Sequence, residues 1–111
     1  MSRADPLVQQ ALEKIRQEAR LGLLAAQVAA IFPCSRRMAD IRFRQATGHT
    51  MLEEIHAVQL DRAKQHLRDP NQLLKSISDF CGFSSPNSLR KFFRRETGQT
   101  LSNWRQKNLS G

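Results

Sequence analysis

The sequence predicts an all-α fold of two helix-turn-helix subdomains joined by a central linker helix, about seven helices in all. Three observations lead there. A segment occurs twice: Phe43-Arg44-Gln45-Ala46-Thr47-Gly48-His49-Thr50 returns as Phe93-Arg94-Arg95-Glu96-Thr97-Gly98-Gln99-Thr100. Each copy ends a helix-like run of basic and apolar residues, and each run follows a shorter apolar segment and a Ser-bearing turn, Cys34-Ser35 in one case and Ser84-Ser85 in the other. Finally, 111 residues make one domain, or two small subdomains sharing a helix, with a modest core and no room for a large enclosed active site.

Taken in order, Asp5-Pro6 is a helix start, because Asp caps free amides and Pro at the first helical position forfeits no intrahelical bond. Leu7, Ala11, Leu12, Ile15 and Ala19 then recur at helical spacing, and Gly22 is placed to close the helix. Glu13, Lys14, Arg16, Glu18 and Arg20 mix both signs and read as a solvated face. Residues 24–32 form a short apolar support helix, Pro33 and Cys34 make the turn, and Ser35 caps a helix over residues 36–46. In that helix Ala39 and Phe43 face inward, whereas Arg36, Arg37, Asp40 and Arg44 share the opposite side.

Gly48 suits a left-handed helix end, and Thr50-Met51-Leu52-Glu53 is a capping-box pattern opening the linker helix over residues 50–68. Asp69-Pro70-Asn71 breaks the chain. Leu73, Leu74, Ile77, Phe80 and Cys81 outline the second support helix, Gly82 supplies its turn, and Ser84 or Ser85 caps the next helix, over residues 85–96. There Leu89, Phe92 and Phe93 point to the core; Asn87, Ser88, Lys91 and Arg95 lie on or near the exposed side, with Arg90 and Glu96 elsewhere on the surface. Gly98 ends that helix, and residues 101–107, with Trp104 as a core plug, give a last short helix before a frayed tail at 108–111. The subdomain limits are accordingly 5–49, 50–68 for the linker, and 69–107. The two turns must differ in path, because Pro33 stands where the second copy has Gly82 and the second turn carries one additional residue.

Eighteen Lys and Arg against ten Asp and Glu give a net charge of +8 and a sequence pI near 10.8, which suits a polyanionic partner. Charge alone does not settle the matter, since a ribosomal or merely solubilised surface is also basic. Cys34 and Cys81 are too few for a disulfide framework, have no metal-ligand spacing, and read as small core residues. His49, His56 and His66 do not cluster with Cys or acidic residues, and no Ser, His and Asp set points to catalysis. No enzyme activity, metal or cofactor is expected. No apolar run approaches the roughly 20 residues that span a bilayer, and the amino terminus lacks the apolar stretch of a signal peptide. A cytoplasmic, nucleoid-associated protein follows. The phenylalanines and Trp104 recur at core spacing rather than as stacking platforms for single strands.

The support segment, Cys81-Gly82-Phe83, the helix bearing Leu89 and Phe93, then Gly98 and Trp104-Arg105 together resemble the DNA-binding domain of the AraC-type (AraC/XylS family) transcription regulators. The resemblance covers about residues 7–106 and looks closest to the carboxy-terminal domain of xylose-responsive members. It implies that the third and sixth helices enter adjacent major grooves of double-stranded DNA. Carried over residue by residue, the base-reading positions fall on Arg37, Asp40 and Ile41, with Arg36 and Met38 beside them, and on Pro86, Asn87, Ser88 and Lys91. Arg37 can pair with guanine O6 and N7, Asn87 with adenine N6 and N7, and Lys91 with guanine acceptors. Asp40 either accepts from cytosine N4 or orients a neighbouring Arg; Ile41 and Pro86 can only touch a thymine methyl. Ser35, Arg44, Ser85, Arg94 and Arg95 are the expected phosphate contacts, while Arg42 is ambiguous. Gln59 stands where the family commonly has Arg, Ser78 where it has Ala, and Leu101 where it has Pro. A regulator also implies RNA polymerase as a further partner, and either an effector domain outside this chain or a stand-alone activator controlled by its abundance. The competing expectation is a basic helical module docking an acidic protein partner.

Overall fold

The computed structural model describes residues 5–19 and 23–109, so the expected closure at Gly22, the surface residue Arg20 and the last two residues of the tail lie outside it. Among the described residues there are seven helices and no strand: α1 Pro6–Glu18, α2 Ala25–Ala29, α3 Arg36–Thr47, α4 Met51–Leu67, α5 Leu74–Phe80, α6 Pro86–Thr97 and α7 Leu101–Asn108. The chain divides into two compact units, Met1–Val58 and Gln59–Gly111, and the division falls within α4.

In the first unit, Asp5 caps α1 by accepting from the Leu7 amide at 3.0 Å, with Pro6 as the first helical residue. Val8, Ala11 and Ile15 of α1 meet Val28 and Ala29 of α2, Ala39 and Phe43 of α3, and Met51 and Ile55 of α4 in one core. The solvated face of α1 is laced by Lys14 with Glu18 at 3.1 Å and Arg16 with Glu13 at 2.7 Å. The support helix is shorter than the apolar run that predicts it. It ends at Ala29 because the next amides turn back on nearer carbonyls, Ile31 on Val28 and Phe32 on Ala29.

The second unit is built around Ala63 and Leu67 of α4, Ile77 of α5, Leu89 and Phe93 of α6, and Leu101 and Trp104 of α7. Phe93 and Trp104 meet edge to face at 5.6 Å. Ser78, at the position where the resembled family has Ala, is fully buried; its hydroxyl folds back to donate to the Lys75 carbonyl at 2.8 Å, so it packs as a small residue. Arg105 donates to the carbonyls of Leu67, Asp69 and Gln72 at 3.0, 2.7 and 2.6 Å. One guanidinium thus satisfies acceptors that the end of α4 and the following turn leave open, and it ties α7 to both.

The repeated Thr-Gly-x-Thr segment performs the same local work twice. Thr47 and Thr97 each place a hydroxyl 2.8 Å from the carbonyl four residues back, Phe43 or Phe93. Gly48 and Gly98 then take φ of 86° and 77°, and each donates to an Arg carbonyl, Arg44 or Arg94, at 2.8 Å. Thr50 accepts from the Glu53 amide at 3.1 Å while Glu53 accepts from the Thr50 amide at 2.7 Å, closing the capping box; Thr100 caps α7 through the Asn103 amide. The two inner turns do differ. The second passes through Gly82 at φ 84° with Phe83 returning to the Ser78 carbonyl, whereas the first has no positive φ among its described residues.

Several expectations about the core need correction. Cys34 is exposed in the α2–α3 turn; only Cys81 is buried, and that burial pushes its thiol pKa up. Phe80, read at core spacing, is 55% exposed and lies flat on His66 at 5.3 Å; Leu73, expected within the second support helix, instead precedes it as the N-cap and is 73% exposed. Asn108 is not frayed: it completes α7 and donates to the Trp104 carbonyl at 2.8 Å.

Two outcomes follow. Arg105→Ala should lower unfolding free energy in urea by about 2 to 3 kcal/mol, with Arg105→Lys recovering little because a point charge cannot fork between carbonyls; an unmoved midpoint would contradict this. Arg42 holds the Asp5 carboxyl below its ordinary pKa of 3.8. The ion pair therefore stabilises the fold above that range, and the stabilisation disappears as pH falls below about 4. Asp5→Asn keeps the cap but removes the ion pair, so its deficit in Tm against the parent should shrink between pH 6 and pH 3; a constant deficit would show that the charge is irrelevant.

Candidate nucleic-acid interface

Two helices carry the residues that the sequence selects, and each is aimed by an apolar inner face. In α3, Ala39 and Phe43 are wholly buried, which leaves Arg36, Arg37, Asp40 and Arg44 exposed on the other side. Ser35 begins the helix with its hydroxyl oxygen accepting from the Met38 amide at 3.2 Å. Its own O–H remains available to an outside acceptor. Met38 and Ile41 are exposed too, so the edge presents apolar atoms between its cations.

The cations of this edge do not all stand free. Arg36 Nε lies 3.2 Å from both oxygens of Asp40, one turn on, so of the two roles weighed for Asp40 the geometry supports orienting an Arg. Arg42 is tied inward. Its Nε and Nη2 reach Asp5 at 3.0 and 2.8 Å, and its guanidinium stacks 5.4 Å over Phe32. It pins the start of α1 to α3. Glu53 is held below its ordinary carboxylate range, first by the Thr50 amide and then, among smaller causes, by the charges of Arg44 and His49. His49 in turn contacts Glu54.

In α6, Leu89, Phe92 and Phe93 are buried, and Phe92 packs on Phe83 at 5.0 Å. Ser85 rather than Ser84 is the cap, accepting from the Ser88 amide at 3.1 Å. The Ser88 hydroxyl is gathered by two neighbours, Ser84 at 3.0 Å and Ser85 at 3.2 Å, which fixes it at the helix start. Asn87, Lys91, Arg94 and Arg95 are exposed. Arg95 leans back over the Phe92 ring at 5.7 Å and lies 3.6 Å from Glu96.

Arg90, expected elsewhere on the surface of α6, lines a groove of about 470 Å³ with Lys91, Arg94 and Arg95 and with Leu101 and Ser102 of α7. The repeat offset holds the signal for it. Advancing Arg37, Asp40, Ile41 and Arg44 of α3 by fifty positions maps them onto Asn87, Arg90, Lys91 and Arg94, two stripes spaced i, i+3, i+4, i+7 on one helix face, while Arg36 falls on Pro86. Guanidinium, ammonium and carboxamide groups on such a face can donate to phosphate oxygens and to base edges.

Comparison with known proteins gives this arrangement its family. A helix-turn-helix domain model matches residues 28–107. The HTH-type transcriptional activator RhaR of Escherichia coli (strain K12) is 39% identical over 75 residues, 68% of this chain; the match spans 27% of that relative's length. A solved structure of the xylose-binding transcription activator XylR superposes with a TM-score of 0.80 at 30% identity over 99% of this chain and 29% of its own. The DNA-binding domain of AdpA, the global transcriptional factor, solved in complex with a target DNA, superposes with a TM-score of 0.79 at 28% identity, covering 94% of this chain and 93% of that one. With seven helices among its described residues, its doubled helix-turn-helix and these relatives, the chain belongs to the AraC-type helix-turn-helix family of transcription regulators.

Proposed function

We propose that the chain binds double-stranded DNA sequence-selectively, with the outward faces of α3 and α6 each reading its own part of one site. The observation that carries this is the doubled stripe: two helices, each begun by a Ser cap and held by a buried Phe, each turning exposed polar and basic side chains outward. Arg36, Arg37, Asp40, Asn87, Ser88 and Lys91 are the proposed base-reading set, with Arg36 and Asp40 acting as a pair. Ser35, Arg44, Ser85, Arg94 and Arg95 are the proposed phosphate contacts, and Arg90 joins them. The Ser35 hydroxyl fits that role because its oxygen already accepts from the helix, leaving its proton for a phosphate oxygen, whereas Ser85 donates to Ser88 and would have to exchange that bond for one to a phosphate.

The protein works by binding rather than by catalysis, on the nucleoid in the cytoplasm. RNA polymerase is the proposed second partner, a reading supported by RhaR being described as a transcriptional activator. Among the described residues no helix is long and apolar enough to cross a membrane. We further propose that α4 serves as the linker between subdomains at 5–49 and 69–107, so that both parts of the site are read from one duplex.

Selection of bound sequences from a random duplex pool should return two short motifs about one helical turn apart. Arg37→Ala should relax preference at a single base pair, costing about 1 to 3 kcal/mol there and little elsewhere. Equal losses on every sequence would make Arg37 a phosphate contact, and a pool without any enriched motif would overturn sequence-selective reading.

A further inference from the structure

We infer that the two reading helices divide the work unequally: the second unit is the electrostatic anchor, its row of α6 cations taking the DNA sugar-phosphate backbone, and the first is a charge-compensated reader. The inference rests on the DNA-reading function proposed above.

Formal charge is lopsided to begin with. Residues 59–111 hold ten Lys and Arg against four Asp and Glu, whereas residues 1–58 hold eight against six. The matched stripes sharpen the contrast. Asp40 in the first stands where Arg90 does in the second, and Ile41 where Lys91 does. With Arg36, held by Asp40, counted beside it, the α3 stripe carries three cations and an anion; the α6 stripe carries three cations and no anion.

Geometry carries the difference further. In the first unit Arg36 is held by Asp40 and Arg42 by Asp5. Arg37 faces outward and forms no ion pair among the described residues. In the second unit, Arg90, Lys91 and Arg94 form no ion pair among the described residues, and they line one groove together. Arg95, beside Glu96, completes the wall. Such a row of cations neutralises successive phosphates and releases their counterions, whereas an arginine already matched by a carboxylate brings little net neutralisation. Lys91 belongs both to this row of cations and to the reading stripe, so a phosphate strand lying along the row runs continuously into the base-reading edge. A duplex backbone, rather than an acidic peptide, is the occupant this continuity selects.

The test is the salt dependence of binding, measured with the full chain on the duplex recovered by pool selection and on a duplex of unrelated sequence. Arg90→Gln with Arg94→Gln should flatten the slope of log affinity against log salt by about two units, at roughly 0.9 for each phosphate left without its cation, and should do so on both duplexes. Arg36→Gln with Arg44→Gln should flatten it by less than about one unit. Asp40→Asn, which frees Arg36, should steepen the slope by up to about one unit. Equal flattening by the two double variants would overturn the division of labour while leaving DNA reading intact, as would an unchanged or flatter slope for Asp40→Asn. If the pool yields no preferred duplex, the function and this inference fall together. A groove occupied by an acidic protein segment instead would show as an Arg90/Arg94 double variant with the parental slope, which also overturns the proposal.

Discussion

A buried phenylalanine beneath each reading helix, Phe43 under α3 and Phe93 under α6, is the constraint on which the surface depends. Each side chain is fully buried among residues of its own unit. Removing either from its core would forfeit roughly 3 to 5 kcal/mol, a large fraction of what a small unit can offer. Because that ring has only one place to go, the rotation of its helix is fixed. The outward stripe on the opposite side is fixed with it. Arg37 and Asn87, Ile41 and Lys91 are exposed for this reason, and no contact of their own is needed to hold them there.

The helix ends complete the constraint. Thr47 and Thr97 bind back to the carbonyls of those same phenylalanines, and the glycines that follow take the left-handed conformation that stops each helix at the same register. A core residue, a cap and a stop are therefore encoded within eight consecutive positions, and the eight positions occur twice. What varies between copies is the outward stripe, which packing leaves unconstrained. The copies could thus diverge in charge without loss of fold, and they have: an Asp in one stripe stands where an Arg occupies the other.

Most of this architecture was legible in the sequence, for a physical reason. Caps, glycine stops and inward apolar residues are local, and local chemistry is written in consecutive positions: Ser35, Gly48, the Thr50 capping box, Gly98 and the buried Leu89 and Phe93 all fall where spacing places them. Illegible parts depend on partners distant along the chain. Nothing near Arg42 announces Asp5, thirty-seven residues earlier, and nothing near Arg105 announces the carbonyls of Leu67 and Asp69. Apolar character also misled where a residue sits at an element's edge, since Leu73 and Phe80 are apolar yet exposed, and Cys34 rides on a turn. The signal for Arg90 is in the repeat itself, since the fifty-residue offset that relates the two copies also pairs it with Asp40.

The central claim is that these two stripes, and not the rest of the charged surface, meet the duplex. Amide chemical shifts of the labelled chain, followed while the selected duplex is added, test it most directly. The account predicts that the largest changes gather at residues 35–44 and 84–95, with the Lys14 and Glu18 face of α1 left in place. Changes centred on α1, or confined to one of the two stripes, would contradict it.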